Sequence, residues 1–169
     1  MSSAQEMTSR ETTSPQSENT VVLKRTLAAT PERVFAAWTR PELVRRWFSP
    51  GPMRIDEASL DVRVGGAYRI VMMSPEGEPH SPGGVYEEIV PNERLVFSWK
   101  WVDSELVTRV TVELRAVGEN LTELTLTHEG FPDRETRDAH DMGWVGCLVK
   151  LPAALEAGTK DVESFEEAS

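Results

Sequence analysis

Residues 95–101 read LVFSWKW, and apolar and polar side chains alternate along this stretch. Leu95, Phe97, Trp99 and Trp101 occupy every second position, so they share one face of an extended chain. The segments TRVTVELR at 108–115 and ELTLTHE at 123–129 repeat the alternation. One apolar face and one polar face are typical of an antiparallel sheet that is covered on a single side.

Four shorter segments extend this sheet. They are rich in apolar residues, are separated by turn sequences, and cover residues 21–27, 54–62, 67–73 and 85–90. The sequence therefore predicts about seven strands.

Helical patterns occur at two places. Thr30 followed by Pro31 is typical of a helix start, and Pro41 begins a second short helix. Residues 133–157 carry one apolar stripe with helical spacing, and Pro152 predicts a kink near residues 148–152. We expect an α+β fold in which a curved antiparallel sheet wraps around this long C-terminal helix, with two short helices after the first strand.

The termini differ in composition from the rest of the chain. Residues 1–19 are rich in Ser and Thr and poor in large apolar side chains, and residues 158–169 are acidic. Such segments bury too little apolar surface to offset their chain entropy. We expect a disordered N-terminal tail at 1–19, one domain at 20–157 and an acidic C-terminal tail at 158–169.

The composition argues against several kinds of partner. Lys and Arg number 18 against 28 Asp and Glu, and the net charge of −10 is unfavourable for binding nucleic acid or an anionic membrane surface. The single cysteine excludes an internal disulfide, and the three histidines have no metal-ligand spacing. We expect no metal and no cofactor. The chain has no membrane-spanning apolar stretch and no secretory signal, so we expect a cytoplasmic location.

The candidate ligand-binding residues face each other across the predicted sheet and helix. Seven strands have more concave area than one helix covers, so the sequence predicts a cavity between them. Aromatic and methionine side chains suit flat apolar ligands. The predicted lining residues are Tyr68, Ile70, Met72, Tyr86, Phe97, Trp99, Trp101, Val110, Val112, Leu126, His128, His140, Trp144 and Leu148.

Two histidines are the polar candidates of this cavity, and no residue is predicted as catalytic. His128 shares the inner face with Leu126, where an imidazole can orient a ligand or transfer a proton. The alternative is a buried histidine whose ring nitrogens bond to other protein groups. His140 lies four residues before Trp144 on the same helical face, either at the cavity mouth or in solvent.

Three further residues carry weaker signals. Glu87 and Glu88 are adjacent, so strand alternation directs one of them inward unless a bulge leaves both in solvent. Cys147 has no neighbouring base in the sequence, which favours a small buried residue over a nucleophile.

The chain resembles the activator of heat-shock-protein-90 ATPase homologue family of the START-like (SRPBCC) superfamily, whose architecture is the helix-grip fold. The resemblance runs from about Val21 to Leu155. It rests on Arg25, ATPERVF at 29–35, WTRPEL at 38–43, WF at 47–48, DVRVGG at 61–66, Tyr68, GVYEEIVP at 84–91, RLVF at 94–97, LTHEGF at 126–131 and GW at 143–144.

The resemblance implies a fold more firmly than a function. Its superfamily includes lipid and hormone carriers, polyketide cyclases and ring-hydroxylase subunits. The resulting hypothesis is a small hydrophobic or amphipathic ligand held between sheet and helix, with His128 and Tyr86 at its polar end. Two alternatives stay open: a cyclase or hydrolase that uses the same cavity, and a protein-interaction module related to the chaperone activators.

The family name refers to a chaperone partner. The eukaryotic namesake has a separate N-terminal domain that contributes to chaperone docking, where this chain has a predicted tail, so its co-chaperone role is not carried over. A chaperone partner and a homodimer stay open, as does the association with the stress response.

Overall fold

The computed structural model describes residues 18–156. In chain order the elements are β1 (Thr20–Leu27), α1 (Pro31–Thr39), α2 (Pro41–Val44), β2 (Arg54–Leu60), β3 (Ala67–Met73), β4 (Pro79–His80), β5 (Pro82–Val90), β6 (Arg94–Trp101), β7 (Thr108–Gly118), β8 (Leu121–Glu129) and α3 (Arg134–Leu148). A further helical segment covers residues 151–156. The predicted tails at 1–19 and 158–169 lie outside the described residues, except for Glu18 and Asn19.

All these strands belong to one antiparallel sheet. Its order is β1-β8-β7-β6-β5-β3-β2, and the two-residue β4 pairs with the end of β3. The first strand pairs with the last along its whole length, from Thr20 opposite Glu129 to Leu27 opposite Thr122. The predicted curved sheet of seven strands is confirmed, as is the α+β class, and β4 is an addition that no alternation in the sequence indicated.

The two short helices begin where the sequence predicts. The Thr30 side chain accepts a hydrogen bond from the Arg33 backbone N–H and caps α1, and Pro31 occupies the first turn. The segment after α2 is held against α1 because the Trp47 indole N–H donates to the Ala37 carbonyl at 2.9 Å. Trp47 is fully buried, so this segment forms part of the core rather than a surface loop.

The C-terminal helix is interrupted in the region where the sequence predicts a kink. The helix α3 ends at Leu148, residues 149–150 form a turn, and helical structure resumes at 151–156. Pro152 has no backbone N–H, so it cannot donate to the Leu148 carbonyl that a continuous helix would bond. Among the described residues no helix is both long enough and apolar enough to cross a membrane.

A β-bulge decides the orientation of the adjacent glutamates. The register between β5 and β6 shifts between Tyr86 and Glu88. Both carboxylates therefore lie outside the core, where Glu87 pairs with Arg109 at 2.9 Å and Glu88 pairs with Arg94 at 3.0 Å. The bulge removes the inward carboxylate that simple alternation would have required.

Candidate functional site

An open pocket, here called the α3 pocket, lies between α3 and the inner face of the sheet and has a volume of about 240 Å³. Positions 139, 140, 143, 144 and 147 fall on one face of α3 because they are spaced one and two helical turns apart. Positions 99 and 101 of β6 lie on the same face of the sheet because side chains alternate along a strand. The lining residues are Phe48, Pro50, Met72, Trp99, Trp101, Ala139, His140, Gly143, Trp144 and Cys147.

The pocket wall is predominantly aromatic. The ring of Trp99 lies 5.2 Å from that of Trp144, 5.6 Å from Trp101 and 6.1 Å from Phe48, measured between centroids. Trp99 and Phe48 are stacked, whereas Trp99 and Trp101 meet edge to face. Such offset contacts fix the ring positions, so the wall is a packed surface rather than a set of independent side chains.

His128 is fully buried behind this wall, and both of its ring nitrogens are bonded. The Trp144 indole N–H donates to His128 Nδ1 at 2.9 Å, and Thr108 Oγ1 lies 2.7 Å from Nε2. An indole nitrogen can only donate, so Nδ1 carries no proton and the neutral ring donates from Nε2 to Thr108. Of the two alternatives that the sequence left open for His128, the structure therefore has the buried histidine whose ring nitrogens bond to other protein groups.

His140 lies in the pocket wall, with the opposite tautomer. The Trp101 indole N–H donates to His140 Nε2 at 2.9 Å, and Nδ1 lies 2.9 Å from the Thr136 carbonyl oxygen. A carbonyl only accepts, so Nδ1 carries the proton and Nε2 is the acceptor. The two imidazole rings are 5.3 Å apart, and each accepts a hydrogen bond from a tryptophan of the pocket.

Both imidazoles are held neutral by their surroundings. Burial lowers the pKa of His128 well below its usual value of 6.5, and the neighbouring His140 lowers it further. Burial also lowers the pKa of His140, although a hydrogen bond with the Thr136 backbone opposes this effect. The geometry and the pKa directions therefore agree on two neutral rings.

We expect the free energy of unfolding to decrease as the pH falls below about 6.5. In the unfolded chain both imidazoles take up protons near that pH, whereas in the folded chain their lowered pKa values shift protonation to lower pH, for His128 more than for His140. The unfolded state then binds more protons, so stability is lost at up to about 1.4 kcal/mol per pH unit for each histidine. Urea unfolding at several pH values between 5.5 and 7.5 measures this slope.

One substitution serves as a control for this slope. His140→Gln should remove the smaller of the two contributions. A free energy of unfolding that is constant from pH 7.5 to 5.5 in the unmodified protein would contradict the neutral assignment.

The open space between the sheet and the C-terminal helix is the α3 pocket, and it does not extend over the centre of the sheet. The cavity between Trp38, Val44 and Phe48 on one side and the inner face of the sheet on the other has a volume of only about 10 Å³, measured in the same way as that of the α3 pocket. Side chains from α1, α2 and the following turn fill the concave area that one C-terminal helix would have left uncovered. The open volume lies beside this packed region, under α3.

The predicted lining residues are divided between the pocket and the core. The structure brings five of them together at the α3 pocket, namely Met72, Trp99, Trp101, His140 and Trp144. Four lie around the filled centre of the sheet: Tyr68, Ile70, Tyr86 and Phe97. The other five are buried in the core outside the pocket lining: Val110, Val112, Leu126, His128 and Leu148.

Sequence reasoning missed half of the pocket lining. Ala139, Gly143 and Cys147 recur every four residues on the face that also carries His140 and Trp144, and this spacing was an available signal. Phe48 and Pro50 come from the turn after α2, and no local pattern relates that turn to α3.

Cys147 lines the pocket as a buried thiol. Burial raises its pKa to about 12, although nearby Lys150 acts in the opposite direction. The thiol is therefore protonated and unreactive near neutral pH. Within residues 18–156, no three His, Cys, Asp or Glu side chains gather closely enough to hold a metal ion.

A family model described as "Activator of Hsp90 ATPase homolog 1-like protein" matches residues 28–156. The matched region includes α1, α2, all strands from β2 to β8 and all of α3, and it begins directly after β1. No curated protein matches the sequence.

Solved bacterial structures share this fold. Protein CV1439 from Chromobacterium violaceum is 32% identical, covers 82% of this chain and 97% of its own length, and superimposes with a TM-score of 0.73. The AHSA1 protein SPO3351 from Silicibacter pomeroyi is 27% identical over 82% of this chain and 99% of its own, with a TM-score of 0.74. Protein NE0264 from Nitrosomonas europaea is also 27% identical, over 86% and 99%, with a TM-score of 0.74.

Proposed function

The chain belongs to the activator of Hsp90 ATPase homolog 1-like family, and from the open volume under α3 we propose that it binds a small apolar molecule in the α3 pocket. The observation that carries the proposal is an unfilled pocket, walled by Phe48 and three tryptophans, beside an otherwise closely packed core. Transfer of an apolar ligand from water to such a wall is favourable, and the gain in free energy is proportional to the apolar area that becomes buried.

The wall also indicates the chemistry of the ligand. No Lys, Arg, Asp or Glu lines the pocket, and the indole N–H groups of Trp101 and Trp144 are already bonded to histidines. The Trp99 N–H has no hydrogen-bond partner, but it is buried and therefore not presented to the cavity. Since an ionised group would lose its hydration without compensation, we propose a ligand with an uncharged, apolar body.

The pocket supports binding more directly than catalysis. An enzyme of the cyclase or hydrolase type needs a polar group that is free to move a proton. His140 is the imidazole in the pocket wall, and both of its nitrogens are bonded to protein groups.

Fluorescence titration tests the proposal. N-Phenyl-1-naphthylamine is uncharged and apolar, and its emission rises on transfer from water into an apolar site. We expect saturable binding of one molecule per chain, with quenching of the pocket tryptophans at the same concentrations. A linear, non-saturating signal, together with the absence of any bound molecule in native mass spectrometry, would count decisively against binding.

Cys147 provides an independent prediction, since it is the single cysteine of the chain and lines the pocket. We expect a neutral thiol reagent to modify the folded protein at pH 8 on the order of a thousandfold more slowly than the urea-unfolded protein, because the raised pKa leaves little thiolate. Saturation with the naphthylamine should slow the reaction further. Mass spectrometry of the modified chain gives both rates, and equal rates with and without ligand would place the ligand elsewhere.

A further inference from the structure

The acceptor in the hydrogen bond between Trp101 and His140 is the ring nitrogen of His140 that would take up a proton at acidic pH. Trp101 donates to His140 Nε2, and the other ring nitrogen is engaged by the Thr136 carbonyl. Protonation of His140 therefore has to occur at Nε2, where the new N–H would face the indole N–H of Trp101. Two donors cannot bond to each other, so the contact between the rings would become repulsive.

Trp101 is well placed to move when this bond is lost. It is half-buried, lies at the end of β6, and contacts Trp99 edge to face at 5.6 Å. Trp144, by contrast, is almost fully buried and bonds to the inner histidine, His128. Of the two indole–imidazole bonds at the pocket, the Trp101–His140 bond is the one nearer to solvent.

We propose that the Trp101–His140 hydrogen bond is a proton-sensitive latch of the α3 pocket. Neutral His140 holds Trp101 in the pocket wall, and protonation releases Trp101 and weakens ligand binding. The effect on ligand affinity rests on the proposed function, whereas the release of Trp101 does not.

His140 is surrounded mainly by aromatic rings. From β8 the facing ionisable group is His128, 5.3 Å away between ring centroids. From β6 the rings of Trp99 and Trp101 face His140, and the Lys100 ammonium contacts the Trp101 carbonyl at 3.4 Å. The loop after β8 contributes the uncharged ring of Phe131.

The charged neighbours of His140 on its own helix are few. Arg137 and Asp141 lie within one turn along α3, and the Arg137 guanidinium pairs with Asp138 at 3.1 Å. The remaining pocket residues of α3 are uncharged near neutral pH, since the Cys147 thiol has a pKa of about 12. Half-burial lowers the pKa of His140 less severely than full burial lowers that of His128, so His140 is the ring that takes up a proton first.

The first arm of the test needs no ligand. The indole N–H resonance of Trp101 is followed by ¹H–¹⁵N NMR from pH 7.5 to 5.0, in the unmodified protein and in His140→Gln. Glutamine keeps an acceptor oxygen and takes up no proton in this range. We expect the Trp101 resonance to titrate in the unmodified protein and to stay constant in the variant. The same titration in both proteins would overturn the latch.

The second arm measures affinity for N-phenyl-1-naphthylamine at pH 7.5 and 5.0. We expect the dissociation constant of the unmodified protein to rise about three- to tenfold at pH 5.0, because only the neutral fraction binds tightly. His140→Gln should show no such rise. Trp101→Phe, which retains a ring without the donor, should bind equally at both pH values. A rise of the same size in His140→Gln would overturn the latch.

The two arms separate the two proposals. If the Trp101 resonance titrates as expected but the naphthylamine does not bind at pH 7.5, the latch is supported and the proposed ligand site is wrong. If the naphthylamine binds but its affinity and the Trp101 resonance are independent of pH, the ligand site is supported and the latch is wrong.

Discussion

Replacing Gly143 by leucine is expected to abolish binding of N-phenyl-1-naphthylamine while the protein stays folded. Gly143 lines the α3 pocket, and a Cβ atom built at this position meets nothing within 4 Å. The leucine side chain would therefore extend into the open volume without displacing backbone. We expect the dissociation constant to rise by at least about thirtyfold, which is a loss of about 2 kcal/mol of binding free energy. Fluorescence titration measures it.

Two matched substitutions control for effects on the helix. Gly143→Ala adds one methyl group to the same position, so it should retain most of the binding and stabilise the protein by about 0.5–1 kcal/mol through helix propensity. Gly146→Ala is one turn further along α3, where the new Cβ would lie 3.0 Å from Cβ of Pro50. This variant should gain less stability than Gly143→Ala or lose stability. Unchanged binding by Gly143→Leu would show that the ligand does not occupy the α3 pocket.

Replacing His128 by alanine is expected to destabilise the fold by about 3–5 kcal/mol rather than to affect a function selectively. The ring is fully buried, so its removal leaves a cavity, and the Trp144 indole N–H loses its acceptor. Thr108 loses the same partner but keeps its bond to the Trp99 carbonyl at 3.3 Å. Urea unfolding at pH 7.5 measures the loss.

Thr108→Val and His140→Ala calibrate this result. Valine preserves the volume at position 108 and leaves His128 Nε2 without an acceptor, which should cost about 1–3 kcal/mol. His140 is only half-buried, so its replacement by alanine should cost less than that of His128. A loss of less than about 1 kcal/mol for His128→Ala would mean that the buried hydrogen-bond chain does not stabilise the fold.

Much of the fold could be predicted from particular stretches of sequence. The alternation through Phe97, Trp99 and Trp101 places three aromatic rings on the inner face of β6, where the structure has them. Thr30 and Pro31 mark the start of α1 because capping depends on residues that are adjacent along the chain. The break after Leu148 follows from the absent N–H of Pro152.

The hydrogen-bond partners and tautomers of the histidines could not be predicted from the sequence. Periodicity places His128 on the inner face of β8. Its two hydrogen bonds, however, are accepted from Trp144 and donated to Thr108, which lie 16 and 20 positions away in the chain. The tautomers of His128 and His140 follow from these partners. An inward strand position indicates burial, whereas the protonation state requires knowledge of each atom around the ring.

For the pocket, too, the sequence predicts the direction of the side chains, whereas the tertiary structure decides how they pack. Alternation along a strand and spacing along a helix specify which side chains turn toward the interior, because both are properties of a local backbone geometry. Whether those side chains fill the interior is a question of volume, and it involves groups that are distant in the chain. Trp38 and Phe48 close the centre of the sheet, and Pro50, Trp101 and Gly143 enclose an open space beside it. The position of the α3 pocket therefore depends on how separate helices and strands pack against each other, and the sequence of no single segment determines it.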